Sequence, residues 1–559
     1  MRIIKRLGVT ALILMVIGIT AYYFRYPLML KMAQTMVPLF QPEIVPQPDI
    51  QWASGKDPLQ RPKDQRPPNV VLILADDLGW NDITLNGGIA GGTVPTPSID
   101  SIAQDGVNFT NGYAANATCA PSRAAILSGR YPTRFGFEFT PTPPGFMKLT
   151  ALGNEKQFPD RPKGIKHEGE SELTYETMGM PAGEVTIAEA LADQGYHNVH
   201  IGKWHVGLAN GMGPLDQGFD ESLLLINTLY LPEDHPDVVN AKIPFDGIDH
   251  FLWSISDATS SVNGGKTSFR PSDYMTDYYT DEALKVIEAN KDRPFFLYLA
   301  HWAVHTPLQA LREDYDKLDH IELHRERVYA AMIVSLERSV RRVLQSLDDH
   351  GLSDNTIVIF SSDNGGAPYI GLPEINKPYR GWKLTFFEGG IHVPFMIKWP
   401  GKIAGGTTFN KPVHHFDLFS TIVEAAGAKL PSDRKIDGVN LLPYVQGGKA
   451  GRPHDKLFWR SGASQTAIVG NWKLNVSAPA GHPALYRHWL YNLAVDPTEQ
   501  NDLSEQYPDK VAELKAALAA HNAEQKPPSW PAKSSSPVRI DKDLSAPFTG
   551  DDEAIYWSN

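Results

Sequence analysis

The sequence contains very little cysteine: Cys119 is the single one among 559 residues. One cysteine excludes a disulfide within the chain, a CxxC redox pair and a cysteine-rich zinc site. Positive charge is not in excess either, because 52 lysines and arginines face 64 aspartates and glutamates, which gives a net charge of −12. A protein that binds nucleic acids normally has a basic surface. We therefore expect no nucleic-acid partner, and an anionic substrate would need a local basic pocket.

Long hydrophobic runs are also scarce, and the clearest one is LGVTALILMVIGITAYYF at residues 7–24. It is longer than the core of a signal peptide and close to the minimum for a membrane-spanning helix. Three cationic side chains in residues 1–6 favour an exported body. We expect a membrane anchor at 7–24 and a periplasmic or extracytoplasmic body, with a cleaved secretion signal as the alternative. Residues 25–68, rich in proline, predict an extended spacer.

The next part of the chain, residues 69–425, has the pattern of an α/β domain. Continuous apolar runs predict buried strands at 70–74, 197–202, 294–300 and 355–363. Capped or amphipathic segments predict helices at 98–106, 186–195 and 325–351. Strands that alternate with helices predict a mostly parallel mixed sheet flanked by helices. Ligands of such sheets bind beyond the carboxyl ends of the strands.

The pattern changes after about residue 426. Short strands separated by turns, and an amphipathic helix at 508–525, predict a smaller C-terminal α+β domain with an antiparallel sheet at 426–525. Residues 526–559 are rich in proline, serine and aspartate and predict an irregular tail. Two insertions, 141–180 and 224–272, show little periodicity and resemble loops over an active-site face.

Acidic and amide side chains follow two of the predicted strands. Asp76 and Asp77 follow the first strand, and Asp363 and Asn364 follow the strand at 355–363. An isolated pair of aspartates is most often a solvated turn. Two such strand ends can converge at one edge of a sheet, however, and their oxygens suit Ca²⁺ or Mg²⁺ better than a soft metal. The coincidence favours a metal site.

Cys119 opens a predicted helix in the segment Cys119-Ala120-Pro121-Ser122-Arg123. A lone cysteine beside an arginine at the start of a helix has the setting of an activated nucleophile. A buried structural thiol is the commoner role of a free cysteine. The residues alone leave both interpretations open.

The segment 119–123, followed by Leu127-Ser128-Gly129-Arg130, resembles the signature of the sulfatase family. In that family the cysteine is oxidised to formylglycine, whose hydrate is the nucleophile. Other segments follow in the order of the family: Asp76-Asp77, 202–205, the surroundings of His305, 363–365, 381–390, 437–443 and 490–503. The resemblance covers residues 69–525. It implies an alkaline-phosphatase-like fold and the hydrolysis of sulfate esters by an arylsulfatase-like enzyme.

The resemblance also implies the cofactors of the site. One Ca²⁺ ion would be bound by Asp76, Asp77, Asp363, Asn364 and the modified Cys119. Formation of formylglycine would require a formylglycine-generating enzyme as a partner.

The basic residues receive roles from the same resemblance. Arg123 would hold the formylglycine hydrate, and Lys203 and Lys383 would contact the sulfate oxygens. His205 and His305 would transfer protons, for which imidazole is suited near neutral pH. Clustered cations beside a metal stabilise the negative charge of a sulfuryl group in transition. Taken singly, each of these residues would be interpreted as an ordinary surface or core residue.

The substrate predicted for an exported enzyme of this kind is a sulfated carbohydrate, with aryl sulfates as probes. Two alternatives remain: a phosphodiester or phosphonate monoester hydrolase of the same superfamily, and an anchored glycan-binding protein without activity. His301 and His392 receive no role, although His392 stands where related sequences often have arginine.

Overall fold

The computed structural model describes residues 31–32, 35, 43–142, 174–246, 248–479, 485–532 and 534–559. The cationic amino end, the predicted anchor at 7–24 and most of the insertion at 141–180 lie outside these residues. Within the described ranges, no helix is both long and apolar enough to cross a membrane. The anchor therefore stays a prediction.

The strands fall into one large sheet and several small ones. They are β1 (Glu43–Val45), β2 (Asn69–Ala75), β3 (Val107–Phe109), β4 (Gly112–Tyr113), β5 (His197–Gly202), β6 (Glu221–Leu225), β7 (Val238–Ala241), β8 (Ser260–Val262), β9 (Thr267–Phe269), β10 (Phe295–Ala300), β11 (Leu308–Leu311), β12 (Thr356–Ser362), β13 (Phe395–Lys398), β14 (Thr407–Phe409), β15 (Val413–His414), β16 (Lys456–Ser461), β17 (Ser464–Val469), β18 (Trp472–Ser477), β19 (Arg487–Asn492), β20 (Ser535–Arg539) and β21 (Ala554–Ser558).

The helices lie mostly between strands of the large sheet. They are α1 (Pro97–Gln104), α2 (Cys119–Ser128), α3 (Ile187–Ala192), α4 (Asp249–Ile255), α5 (Met275–Ala289), α6 (Arg312–Asp316), α7 (His324–Asp349), α8 (Glu388–Ile391), α9 (Asp417–Ala425), α10 (Leu442–Val445) and α11 (Pro508–Ala523), besides an irregular turn at Ile89–Gly92. Short 3-10 turns occur at Lys63–Gln65, Trp80–Asp82, Thr84–Asn86, Pro132–Phe135, Tyr175–Thr177, Leu215–Gln217, Ser353–Asn355 and Pro368–Ile370.

The large sheet has the strand order β1-β9-β8-β6-β5-β10-β2-β12-β13-β3-β14 in the described part of the chain. Its centre, from β6 to β12, is entirely parallel. β13 runs antiparallel to β12, which makes the sheet mixed. The predicted α/β fold with a mostly parallel mixed sheet is confirmed.

Every residue of β2 is buried, because helices cover both faces of the sheet. Val71 and Ile73 face one core, which includes residues of α5 and α7. Val70, Leu72 and Leu74 face the other, which includes residues of α2, α3 and α9. Successive side chains of a strand point to opposite faces, so an unbroken apolar run fills both cores. This central position holds the carboxyl end of β2 rigidly.

The C-terminal part contains the predicted antiparallel sheet and helix. β16, β17, β18 and β19 pair in sequence, each antiparallel to the next. Val511, Leu514 and Leu518 of α11 are buried in the cluster that covers this sheet. The α+β character of this part is confirmed.

Two predicted irregular regions are more ordered than the sequence suggested. β20 and β21 pair antiparallel inside residues 526–559, so the prediction of an irregular tail is wrong there. Trp557 and Ile555 are only 4% exposed, so apolar burial holds this pair in place. Part of the predicted spacer also packs on the body: β1 pairs with β9, and the Trp52 indole N–H donates to Glu282 over 2.7 Å.

Candidate active site

Four neighbouring parallel strands end at one edge of the large sheet, and polar residues follow each of them. The residues are Asp76 and Asp77 after β2, Lys203 and His205 after β5, His305 after β10, and Asp363 and Asn364 after β12. Cys119 and Arg123 join them from the first turns of α2, and Lys383 joins them from the segment 381–390. We call these ten side chains the strand-end cluster. The sequence predicted all ten as site residues, and nine are linked by the contacts described below.

Each carboxylate of the strand-end cluster has a buried cation as its neighbour. Lys203 Nζ lies 2.6 Å from Asp76, and Lys383 Nζ lies 2.6 and 2.7 Å from the two oxygens of Asp77. Arg123 is fully buried and contacts both Asp76, at 3.2 Å, and Asp363, at 2.8 Å. Unpaired buried charges are costly, so these pairs make the cluster compatible with the interior of the protein.

Burial and neighbouring charges shift the carboxyl pKa values in opposite directions. Burial alone would raise the pKa of Asp77, but the neighbouring groups, led by the Lys383 ammonium, together outweigh it and hold that pKa below its ordinary value. Burial, followed by the charge of Asp76, raises the pKa of Asp363. The cluster therefore contains two acids of unequal proton affinity, Asp77 and Asp363, and the Asp77 N–H donates to Asp363 Oδ1 over 3.3 Å.

The segment that carries Lys383 is fixed by backbone contacts. Lys383 N–H donates to the Gly366 carbonyl over 3.0 Å, and Leu384 N–H donates to the Ala117 carbonyl over 2.9 Å. Gly365 N–H donates to the Gly390 carbonyl, and a Cβ on Gly365 would lie 2.0 Å from the Gly389 carbonyl oxygen. The glycines after β12 thus permit the close approach that brings Lys383 to Asp77.

Cys119 is the first residue of α2 and is only 4% exposed. Its thiol lies 3.5 Å from Asp76 Oδ1 and 3.7 Å from Asp77 Oδ1, and Lys383 Nζ lies 3.4 Å from the sulfur. Burial, followed by the negative charge of Asp363, raises the pKa of the thiol well above its ordinary value. The two interpretations left open by the sequence are thus combined: the thiol is buried and neutral, yet it lies at the centre of the charged cluster.

The same residues form a possible metal site. Asp76, Asp77, Cys119 and His305 each bring a ligand-type atom within 4.8 Å of the others. Asn364 Nδ2 donates to Asp77 over 2.8 Å, whereas the buried Asn364 Oδ1 has no hydrogen-bond partner among the described residues. Carboxylate oxygens beside an unsatisfied amide oxygen fit a hard cation such as Ca²⁺ or Mg²⁺.

His305 faces the cluster through one ring nitrogen. Its Nδ1 lies 2.7 Å from the Thr306 carbonyl oxygen, which can only accept, so Nδ1 carries the proton. Its Nε2 then lies 3.3 Å from Lys383 Nζ and 3.4 Å from Asp77 Oδ2. Burial lowers the pKa of His305 to about 3. The imidazole is neutral and presents a lone pair to the Lys383 ammonium.

His205 reaches the same edge of the sheet with a strained backbone. Its φ is 63°, in the left-handed region, as is that of Asp77 at 60°. Such conformations are costly outside glycine and concentrate at functional sites. Burial, followed by the charge of Lys203, lowers the pKa of His205 well below its ordinary value, and its buried Nδ1 has no partner in the part of the chain that the structure describes.

Comparison with known proteins identifies the family of this chain. Residues 68–428 match the family model described as Sulfatase. The N-acetylgalactosamine-6-sulfatase of Mus musculus is 34% identical over 421 residues, which cover 74% of this chain and 72% of the mouse protein. The chain belongs to the sulfatase family. An uncharacterised sulfatase, YdeN, of Escherichia coli (strain K12) is 30% identical over 70% of this chain and 68% of its own length.

A solved structure resembles this sulfatase as well. It is the crystal structure of Ps i-CgsB in complex with k-i-k-neocarrahexaose, with a TM-score of 0.67 and 27% identity, covering 83% of this chain and 95% of the other. The predicted family, the alkaline-phosphatase-like fold and the prediction of a sulfatase enzyme are confirmed. The sulfatase hydrolyses sulfate esters, and its substrate is sulfated.

Two aromatic residues that contact the strand-end cluster were missed by the sequence reasoning. The Tyr369 hydroxyl donates to Asp77 over 2.8 Å and accepts from Lys383 over 3.0 Å. Trp302 packs its ring against His305, with centroids 4.1 Å apart, and Lys203 Nζ lies 4.6 Å from the centre of the same ring. A tyrosine in a loop and a tryptophan among apolar residues carry no sequence signal of such contacts.

His301 turns away from the strand-end cluster. β10 ends at Ala300, so His301 is the first residue after the strand. His301 is fully buried, and its Nε2 lies 2.9 Å from Ser339 Oγ on α7. It belongs to the core between the sheet and that helix.

His392 belongs to a second buried cluster, behind the segment that carries Lys383. Its Nδ1 lies 2.7 Å from Glu388 Oε2, and its Nε2 lies 2.8 Å from the Thr110 carbonyl oxygen. Lys473, on β18, donates to Glu388 over 2.7 Å and lies 3.0 Å from Glu499. We call Tyr113, Glu388, His392, Lys473 and Glu499 the Lys473 cluster. It explains His392 as a structural partner of Glu388.

Proposed function

We propose that this sulfatase hydrolyses sulfate esters of carbohydrates, using a formylglycine formed from Cys119 and one bound Ca²⁺ ion. The observation that carries the proposal is the arrangement around the Cys119 sulfur. Two carboxylates and the Lys383 ammonium lie within 3.7 Å of it, and Lys203 and Arg123 pair with those carboxylates or their neighbour. The formylglycine hydrate would supply the hydroxyl that attacks sulfur.

The three cations would bind and orient the sulfuryl group. Lys203, Lys383 and Arg123 are all buried, so their charges act in a medium of low polarity. In that medium they would stabilise the negative charge on the sulfuryl oxygens in the transition state. They would also overcome the repulsion of an anion by a protein with a net charge of −12.

The carboxylates and the amide would hold the metal. Asp76, Asp77, Asp363 and Asn364 end two adjacent strands, and the unpartnered Asn364 Oδ1 is a ready oxygen ligand. Bound there, Ca²⁺ would add positive charge beside the sulfuryl oxygens. The chain's own part is to keep these oxygens fixed at the ends of fully buried strands.

Two histidines would move the protons. The Nδ1–H of His305 is held by the Thr306 carbonyl, so its unprotonated Nε2 would take a proton from the Lys383 ammonium, 3.3 Å away, and pass it to the departing alcohol oxygen. His205, whose Nδ1 has no partner among the described residues, would accept a proton from the group at residue 119. Arg123 would hold that group in place.

The proposal of a carbohydrate substrate is supported by the relatives. The mouse relative is named an N-acetylgalactosamine-6-sulfatase, and the solved structure contains neocarrahexaose. A panel of sulfated oligosaccharides, with 4-nitrophenyl sulfate as a reference, would identify the sugar and the position that is cleaved. Phosphodiesters and phosphonate monoesters in the same panel test the alternative, and faster turnover of those esters would overturn the proposal.

The nucleophile is tested directly at residue 119. Mass spectrometry of the peptide that contains Cys119 should show loss of the sulfur atom, and Cys119→Ala should abolish turnover of 4-nitrophenyl sulfate while the thermal unfolding curve stays similar. A fully active preparation in which residue 119 is an unmodified thiol would sink the mechanism. Co-expression with a formylglycine-generating enzyme should raise the activity of poorly converted preparations.

We further propose that residues 7–24 anchor an exported enzyme in a membrane. The supporting observation is the apolar run itself, preceded by cationic residues. Activity should sediment with membranes and resist a carbonate wash, whereas a chain lacking residues 1–24 should be released. Release of the full-length chain by carbonate would contradict the anchor.

A further inference from the structure

The paired strands β20 and β21 form, with the loop between them, a strap against the segment that carries Lys383. We call residues 534–559 the tail strap. It lies beyond residues 68–428, which match the family model. Its outer end is fastened to the C-terminal sheet: Tyr556 N–H donates to Ser477, and the Ser461 hydroxyl donates to the Ser558 carbonyl over 2.9 Å. The strap is thus an ordered part of the molecule.

An ion-paired clamp joins the tail strap to Arg380, three residues before Lys383. Both oxygens of Asp541 contact the guanidinium, at 2.5 and 2.7 Å, and Glu553 contacts it at 2.6 Å. The Arg380 side chain is only 12% exposed, although the two carboxylates are about half exposed. A bidentate pair on a largely buried arginine is stronger and more directional than an ordinary surface ion pair.

Two more contacts join the strap to the chain next to Lys383 and next to Tyr369. Trp557 packs edge-to-face on Phe386, three residues after Lys383, with ring centroids 5.0 Å apart. Leu544 N–H donates to the Pro368 carbonyl over 3.0 Å, next to Tyr369. Tyr369 in turn contacts Asp77 and Lys383 through its hydroxyl. The strap therefore touches the chain on both sides of Lys383 and directly before Tyr369.

We propose that the tail strap is a positioning element for catalysis, which holds Lys383 and Tyr369 in register with Asp77 and residue 119. The inference rests on the proposed role of Lys383 as a partner of His305 in protonating the leaving group. Small displacements of a catalytic group reduce rates strongly, whereas they change the stability of the whole domain little. The strap residues touch no atom of the strand-end cluster themselves in the described contacts, so they act through Arg380, Phe386 and Pro368.

The test uses the full chain with Asp541→Asn and Glu553→Gln combined. Both carboxylates are half exposed, so the variant should fold, and its melting temperature checks this. Lys542→Gln is the matched control, because Lys542 pairs with Asp552 within the strap, at 2.6 Å. Arg380→Gln completes a double-mutant cycle, and Lys383→Met is the reference for loss of the proton donor.

The decisive readout is the dependence of kcat on the leaving group. Phenyl sulfate needs protonation of its leaving oxygen far more than 4-nitrophenyl sulfate does. We expect the strap variant to lower kcat by about tenfold on phenyl sulfate and by less than about threefold on 4-nitrophenyl sulfate, with little change in KM. A merely structural defect would lower the active fraction and therefore both rates equally.

The variants distinguish failure of the positioning role of the strap from failure of the proton-donor role of Lys383. Arg380→Gln should add little to the strap variant, and Lys542→Gln should behave like the unaltered enzyme. If Lys383→Met shows the leaving-group effect and the strap variant does not, the positioning role of the strap is overturned while that of Lys383 stands. If Lys383→Met itself loses both rates equally, the proposed donor role fails and the strap proposal fails with it.

Discussion

The strand-end cluster and the Lys473 cluster are both buried groups of charged side chains, and they flank one short segment of chain. Lys383 belongs to the first and Glu388, five residues later, to the second. In the Lys473 cluster each side-chain polar atom has a partner: Glu499, for example, accepts from Lys473, Asn475 and the Glu388 N–H. In the strand-end cluster, Asn364 Oδ1 and His205 Nδ1 have none among the described residues.

This difference distinguishes the strand-end cluster, as the candidate site, from the Lys473 cluster, as a structural network beside it. A polar network whose members are all satisfied fixes a unique arrangement of the chain, whereas unsatisfied buried atoms are where a ligand gains the most. The Lys473 cluster ties the C-terminal sheet to the back of the Lys383 segment. The strand-end cluster pairs three cations with three carboxylates, and its two unpartnered atoms would be available to a metal or a substrate under the proposed function.

The sharpest contrast is expected from Asp77→Asn. This change removes the charge that pairs with Lys383 and a proposed metal ligand, so activity on an aryl sulfate should fall by at least about a thousandfold. The free energy of unfolding should change much less. Steady-state kinetics and chemical denaturation measure the two effects, with Asp316→Asn, exposed at the end of α6, as the control. Activity within tenfold of the unaltered enzyme would contradict a catalytic role.

Lys473→Met should reduce the stability of the protein more than Asp77→Asn does, and its activity less. It leaves Glu388 and Glu499 buried without their cation, and removal of one partner of a buried ion pair costs about 3–5 kcal/mol of the free energy of unfolding. Denaturant unfolding measures this loss, and the exposed Lys456 on β16 gives the control Lys456→Met. A loss below about 1 kcal/mol in the free energy of unfolding would mean that the Lys473 cluster does not stabilise the fold.

Removal of the metal should lower both stability and activity, and this response should depend on residues of the strand-end cluster. Addition of Ca²⁺ to the chelated enzyme at about a hundred times its dissociation constant should raise the free energy of unfolding by about 2.7 kcal/mol and restore activity. Asn364→Ala should weaken this response. Asn355→Ala, at the opposite end of β12, should retain it, because the Asn355 side chain donates to the carbonyls of Arg66 and Pro67, away from the strand-end cluster. An equal response in both variants would exclude Asn364 as a ligand.

A separate prediction concerns the pH dependence of stability through Asp82, a buried acid with no cation beside it among the described residues. Burial raises its pKa to about 8, and Tyr329 and the Gly79 N–H donate to one of its oxygens. The folded state thus holds a proton more tightly than the unfolded state. The stabilisation is complete below the ordinary pKa of 3.8 and is lost as the pH rises towards about 8.

The slope of that loss is at most about 1.4 kcal/mol per pH unit. Asp82→Asn should remove this contribution from the free energy of unfolding measured between pH 5 and pH 9. An unchanged slope in the variant would assign the pH dependence to another group.

The strands were predictable because their signals are local, whereas most of the ten residues of the strand-end cluster were predictable only through the ordered motifs that resemble the sulfatase family. Unbroken apolar runs predict β2 and β12. The motifs follow the carboxyl ends of strands, which lie at one edge of a parallel sheet. The Lys473 cluster was not predictable, because Lys473 reads as the polar member of an alternating strand, NWKLNV. Its partners lie far away in sequence, and only the packing of the C-terminal sheet turns its side chain inward.

The tail strap escaped prediction for a related reason. Proline and serine in SSPVR suppress the usual strand signal, and its main partner, Arg380, lies 161 residues from Asp541. Tyr369 and Trp302 were missed because their roles depend on contacts and not on any motif.

The burial of α2 has a consequence for the order of events in the life of the chain. Every residue from Cys119 to Ser128 is buried, so another enzyme could not bind this segment in the folded protein. The proposed conversion of Cys119 would therefore have to precede the burial of α2, and chains that fold before it would keep the thiol and stay inactive.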